Sequence, residues 1–401
     1  MNKARFTPLY ILANLGAFIA FLPLLVLLLP RRVAAIAADE PITLLSWLLL
    51  VGGVTASLAN IAAGAFSDYW IRRHGNRRMP IALGLAALLA SYALFADART
   101  PLTLFAAIIV FQASFNLMFA PIGALLADHV PHARKGWIAG WLGMALPLAG
   151  LAITLLGYLG SADSGWPFLL LAGIIAALIL PLLIAWPADL PLIAREEPPA
   201  DRGAALGRDF ALAWVARLTV QTGAAIMLSY LYLYVDGIAS GAAGYPDQAA
   251  SAGVATLSLI ATIMSLGAGI IAGRISDVAG KRRVPLALTA CGVALALALL
   301  AWGSHWGVIL AAYALFTACL TAFLSVDSAL VAQMLAGHRR RGTYLGLMNL
   351  TNTLPAIIAP SAALLLSSGD LPGGALRLLI GLGTLAALVA AASVMGIRSV
   401  R

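Results

Sequence analysis

GAFSDYWIRRHGNRRMP at residues 64–80 and GRISDVAGKRRVP at residues 273–285 are one pattern written twice, once in each half of the chain. Each copy holds a Gly, then Ser-Asp, a second Gly, a basic cluster and a Pro that opens a new apolar run. The pattern describes a helix ending after Ser-Asp, a short basic loop and a second helix. Recurrence at matching places makes the halves copies of one unit. Duplicated halves of about six helices imply a two-bundle transporter with a substrate path between the bundles.

Composition agrees with a bilayer as the main solvent. Of 401 residues, 62% are hydrophobic and 10% charged, whereas soluble domains carry roughly 25% charged residues. Twelve runs are long enough for a hydrocarbon core of about 30 Å: 8–30, 42–67, 80–96, 101–127, 137–160, 165–187, 209–235, 248–275, 284–303, 306–334, 343–367 and 374–396. Lys3 and Arg5 precede the first run without a small-residue cleavage site, which reads as a retained helix and not a removed signal.

The net charge of +9 follows topology. Arg72, Arg73, Arg77, Arg78, Arg134, Lys135 and the clusters at 281–283 and 339–341 fall in loops on one side; Arg31, Arg32, Arg99 and Arg377 are left for the other. By the positive-inside rule both termini are cytoplasmic, and the basic excess predicts no nucleic-acid partner. Compact loops and short tails suit a bacterial inner membrane. Residues 188–208 (ADLPLIAREEPPADRGAALGR) are the longest polar stretch and read as a linker. The expected architecture is all-α, with twelve transmembrane helices in two pseudo-twofold-related six-helix bundles, 1–187 and 209–401. Residues 111–136 also align with 316–342, and the helix after each carries a mid-span Pro, Pro147 or Pro355.

The doubled loop resembles the signature of the major facilitator superfamily, a Gly…Asp…Gly-basic-basic motif between helices 2 and 3 that recurs between 8 and 9. The second copy (Gly273, Asp277, Gly280, Lys281, Arg282, Arg283) fits better than the first (Gly64, Asp68, Gly75, Arg77, Arg78), where about four extra residues separate Asp68 from Gly75. The resemblance implies alternating access as a monomer. It also implies a gating role for both loops: Asp68 accepts from free N–H groups opening helix 11, near Gly342 and Thr343, and Asp277 does the same for helix 5, near Gly136. Span 4 (Asn116…Pro121…Asp128) and span 10 (Val326 to Leu330) are similar to proton-coupled sugar and glycoside porters. Residues 146–151, LPLAGL, keep Pro147 and Gly150 of a drug-exporter motif but have Leu146 where that motif has Gly.

Two charges lie deep inside spans. Arg217 sits about 12 Å into span 7 at 1.5 Å per residue, and Asp327 stands seven residues before the inner end of span 10. A lone charge at that depth costs several kcal/mol, so the pair is expected to meet. The resemblance places helices 7 and 10 on the central cavity. There Asp327 would stay ionised beside Arg217 and take a proton when Arg217 is drawn away, coupling transport to a proton gradient.

Amides form the candidate substrate site, because each donates and accepts and so suits hydroxyl-rich ligands: Asn14, Gln112 and Asn116 in the first half, Gln221, Asn349 and Asn352 in the second, with Asn60 beside them. Gln112/Asn116 and Arg217/Gln221 are i,i+4 pairs on one helix face. Tyr230 and Trp141 are candidate stacking surfaces, while Tyr234 reads as a membrane-interface anchor. His129 and His132 read as an interfacial loop, and no metal or cofactor is expected. No HExxH, nucleophile elbow or GxxxxGK[ST] loop occurs, so neither an enzyme nor an ATP-driven pump is indicated. The leading function is proton-coupled transport of a small polar solute, with a sugar or glycoside as candidate; the alternative is proton-antiport export of drugs or amphipathic compounds.

Overall fold

The computed structural model describes residues 6–159, 165–186, 207–279, 282–335, 341–367 and 374–397. Among them, twelve helices are long and apolar enough to cross a membrane. In the first half these are α1 (Phe6–Ile36), α2 (Pro41–His74), α3 (Arg78–Asp97), α4 (Pro101–His129), α5 (His132–Gly143 and Ala145–Leu159) and α6 (Trp166–Ile184). In the second half they are α7 (Arg208–Ser229), α8 (Ala250–Ala279), α9 (Arg283–Trp302), α10 (Trp306–Met334), α11 (Arg341–Thr353 and Pro355–Ser367) and α12 (Gly374–Met395). The chain divides into two compact units, Met1–Glu196 and Glu197–Arg401. Apart from Gly207 and Arg208, the expected linker 188–208 lies outside the described residues.

The units follow one packing plan. In the first, α1 packs on α5 and α6, α4 on α2 and α3, and α3 on α6; in the second, α7 packs on α11 and α12, α10 on α8 and α9, and α9 on α12. Each of these contacts is repeated six helices later. The third helix of each unit is 20 residues long and the fourth is 29. The fifth helix of each breaks at its middle, at Met144 and at Leu354. A proline lies just beyond each break, removing one N–H from the helical ladder and crowding the carbonyl four residues back.

The first loop differs from its sequence reading in an instructive way. Four extra residues do not lengthen the loop; they add about one helical turn, and α2 runs on to His74. Gly75 then ends the helix with φ 72°, the left-handed conformation that glycine adopts without steric cost. Arg72, Arg73 and His74 occupy the last turn, where positive charge faces the negative end of the helix dipole.

Four further residues depart from expectation. Arg31 and Arg32 lie within α1, which continues past the apolar run, and Arg32 Nη2 donates to Ala96 O at 3.3 Å. Tyr234, read as a membrane anchor, is fully buried and its hydroxyl donates to Leu300 O at 2.9 Å. The short helix Leu231–Gly237 that follows α7 turns this side chain into the unit interior. His129 closes α4 in a buried position, edge-on to Phe6 with ring centroids 5.9 Å apart.

Candidate transport site

The second unit assembles a polar cluster from three helices. Arg217 of α7 donates through Nη1 to Asp327 Oδ2 of α10 at 3.0 Å. The carboxylate side chain is 2% exposed and the guanidinium 17%. Val326, Leu330, Ala213, Ala216 and Val220 form an apolar core around them, so water is largely replaced by hydrocarbon. In such surroundings either charge alone is costly, and the pair persists because each neutralises the other.

Amides extend the cluster onto α11. Asn352 Oδ1 accepts from Gln221 Nε2 at 2.9 Å and from Arg217 Nη2 at 3.5 Å, while Asn352 Nδ2 donates to Asn349 Oδ1 at 3.1 Å. Asn349 and Asn352 are exposed, and Arg217 Nε is buried with no hydrogen-bond partner. The fixed pair thus lies behind an accessible amide face, with the Nε–H of the cation left unused. Gln221 reaches Asn352 because it is one turn beyond Arg217 on the same face of α7.

The candidate residues of the first unit are more self-satisfied. Asn116 of α4 accepts from Asn60 Nδ2 of α2 at 3.0 Å and donates to Gln112 O at 2.9 Å. Gln112 packs against Gly52 and keeps a buried Oε1 without a hydrogen bond. Asn14 donates to Leu142 O at 3.3 Å, a helix–helix bond that ties α1 to α5. Trp141 is exposed beside Trp137, and Tyr230 is buried inside the second unit where α7 ends.

The loop motif of the first unit builds a second ionic centre. Arg77 is 5% exposed. Its Nε donates to Asp128 of α4 at 2.7 Å, Nη1 to Ser67 at 2.6 Å and Nη2 to Asp68 at 2.8 Å. Sequence reading selected Asp68 and Arg77 but missed that Asp128 completes the set. The available signal was a carboxylate at the inner end of span 4, level with the basic loop. Arg78 is exposed, and its backbone N–H is accepted by Asn76 Oδ1 at 3.1 Å. Gly64 has open space beside it within its own unit. Across the second copy, Arg282 occupies the N-cap position of α9 and Arg283 donates to Met395 O at the end of α12. Gly280 lies outside the described residues, as do the side chains of Asp277 and Thr343 and the surroundings of Gly136, Gly273 and Gly342. Among the described residues no group of three or more His, Cys, Asp or Glu could hold a metal.

The family profile of the Major Facilitator Superfamily matches residues 6–360. The chain belongs to that superfamily. Solved structures of superfamily-like transporters share its fold. The nucleoside transporter NupG has a TM-score of 0.70 at 14% identity, with 100% of each chain covered. A bacterial homologue of the human lysosomal transporter Spinster, inward-facing and occupied, has a TM-score of 0.69 at 14% identity, covering 98% of this chain and 96% of its own. A POT family transporter in complex with a thioalcohol-conjugated peptide has a TM-score of 0.71 at 12% identity, covering 96% and 94%. Identities this low establish the fold alone. A search of curated proteins matched none. The twelve apolar helices and the family make the chain an integral, multi-pass membrane transporter.

Proposed function

We propose that this transporter moves a small polar solute by proton-coupled alternating access, with Asp327 and Arg217 as the coupling pair. The observation that carries this reading is the 3.0 Å ion pair itself, set inside the spans behind an exposed amide face. A structural ion pair would need no such access. Gln221, Asn349 and Asn352 are the ligand-facing amides of the second unit, and Gln112 and Asn116 those of the first. The two basic loops, through Asp68 and Arg77 and their counterparts Asp277 and Arg282, gate the inner side. Both termini are cytoplasmic in a bacterial inner membrane, and the working unit is a monomer.

A second reading is favoured by one observation. Phe210, Trp214 and Tyr344 line a groove of about 380 Å³ with Leu347 at the inner end of α7. Aromatic walls of this kind suit an amphipathic solute, exported in exchange for protons. Uptake into proteoliposomes under an imposed pH gradient tests the first reading. Wild-type protein is expected to accumulate a sugar or other polar solute, and Asp327→Asn to exchange it without accumulating it. Uphill uptake by Asp327→Asn would remove that carboxylate from the coupling role.

A further inference from the structure

The cationic end of the cluster sets the polarity of every amide attached to it. A guanidinium carries N–H donors and no acceptor, so the atom that Asn352 turns towards Arg217 Nη2, 3.5 Å away, is its Oδ1. Gln221 shares that oxygen and must meet it with Nε2, at 2.9 Å. The amide nitrogen of Asn352 is left to donate, and Asn349 Oδ1 accepts from it at 3.1 Å. Asn349 ends the chain, and its Nδ2 makes no hydrogen bond among the described residues. A sequence of contacts that begins on a cation therefore finishes in N–H groups on the exposed face of α11. Asn349 and Asn352 share that face because they are spaced i,i+3.

The amide face keeps more donors than acceptors. Both N–H groups of Asn349 Nδ2 are spare, as are the second N–H of Asn352 Nδ2 and that of Gln221 Nε2. Against them stand Gln221 Oε1 and the second lone pair of Asn349 Oδ1, because Asn352 Oδ1 already accepts twice. Such a surface favours an acceptor-rich solute. Charge narrows the class. Arg217 and Asp327 cancel while paired at 3.0 Å. A proton on Asp327 leaves the guanidinium uncompensated beside an apolar core, a state that an incoming anion relieves. The Nη2 contact to Asn352 is the longest in the cluster, so a solute oxygen displaces it at little cost. Among the described residues, the other charged groups on the packed helices lie towards the ends: Arg208 and Asp209 on α7, Arg283 on α9 and Arg377 on α12. Arg274 and Asp277 of α8 and Arg341 of α11 have side chains outside the described residues.

We infer that the solute is a small hydrophilic monoanion, its carboxylate held by the N–H groups of Asn349 and Asn352 and by Arg217 Nη2, and that it crosses together with a proton. The exchange balances: the proton binds a carboxylate oxygen of Asp327, the solute carboxylate binds the freed cation, and the loaded cluster is as neutral as the empty one. This rests on the coupling role proposed for the pair and names the class of solute that the pair serves.

The test uses the full-length protein with glucuronate, its neutral amide glucuronamide and the cation glucosamine, and with lactate and lactamide as a smaller pair. In binding titrations each carboxylate is expected to bind about 10- to 100-fold more tightly than its amide, as one charge-assisted hydrogen bond dictates. Equal binding of carboxylate and amide, or preference for glucosamine, would overturn the inference and leave the polar-solute reading standing. Asn349→Asp exchanges donors for acceptors at an exposed position with little change of shape. It should weaken carboxylate binding about 10- to 100-fold and glucuronamide binding far less; an equal loss of both would overturn the contact assigned to Asn349. In proteoliposomes an inward proton gradient should drive carboxylate uptake, and an inside-negative potential alone should add nothing, because proton and anion cross without net charge. Uptake accelerated by that potential marks symport of a neutral solute, which would overturn the inference while leaving the coupling reading intact. Proton-driven uptake that survives in Asp327→Asn would instead fail the coupling reading, and with it the proton half of the inference.

Discussion

The two six-helix units share a packing plan and place their buried charge at different depths. In the first, Arg77 is enclosed by Asp68, Asp128 and Ser67 at the end of the α2–α3 loop. In the second, Arg217 and Asp327 meet about two and a half turns into α7 and two turns before the end of α10. The repeat makes the divergence explicit, because Gln333 stands where Asp128 would recur and Ile122 stands where Asp327 would. Apolar packing tolerates exchange of one hydrocarbon for another, so the duplicated scaffold persists while a few polar positions drift to separate tasks. A cluster beside the aqueous loop suits a latch that breaks and reforms. A pair surrounded by hydrocarbon suits a site where one charge is traded for another.

Unfolding measurements in detergent probe this contrast from the largest effect downwards. Arg217→Leu leaves Asp327 buried without its cation and is expected to cost about 3–5 kcal/mol. Adding Asp327→Leu should restore most of that stability without restoring transport. Arg77→Leu should cost less, about 1–3 kcal/mol, because Asp68 is 57% exposed and can turn to water. If Arg77→Leu proved the more damaging, the assignment of the deeper charge to the second unit would need revision.

Glycine contacts sharpen the comparison at the helix seams. A Cβ on Gly84 would lie 2.4 Å from the backbone nitrogen of Met118, whereas one on Gly292 would meet the Cys319 side chain at the same distance. Backbone cannot step aside, so Gly84→Ala should cost about 1–3 kcal/mol as overpacking and Gly292→Ala less, read as the difference in unfolding midpoint. The smallest effect is expected at Asn349, an exposed amide at the edge of the cluster that accepts from Asn352. Asn349→Ala should weaken solute binding by about 0.5–1.5 kcal/mol, measured by titration.

Much of this was readable before any coordinates. Span length fixes the helices, and the duplicated loop fixes their grouping. Depth arithmetic, together with a resemblance that puts helices 7 and 10 on one cavity, brought Arg217 to Asp327, because two intramembrane charges of opposite sign have few cheap alternatives. The partners of Arg77 were less legible, since pairing with Asp128 depends on how α2, α3 and α4 converge. The extra turn of α2 had a local signal that went unused: basic residues followed by Gly75 are a helix-end signature. Tyr234 could not be placed from position alone, because an interfacial tyrosine and a buried one occupy the same part of a span. Asn14 likewise offered no sign that its amide is committed to Leu142.

The central claim is that the deep pair binds the transported proton and the peripheral cluster does not. Solute-induced proton uptake by the purified protein, followed with a pH dye in weakly buffered detergent solution, tests it most directly. Wild type and Asp128→Asn should both take up a proton as solute binds, and Asp327→Asn should take up none. Undiminished uptake in Asp327→Asn, or its loss in Asp128→Asn alone, would contradict the account.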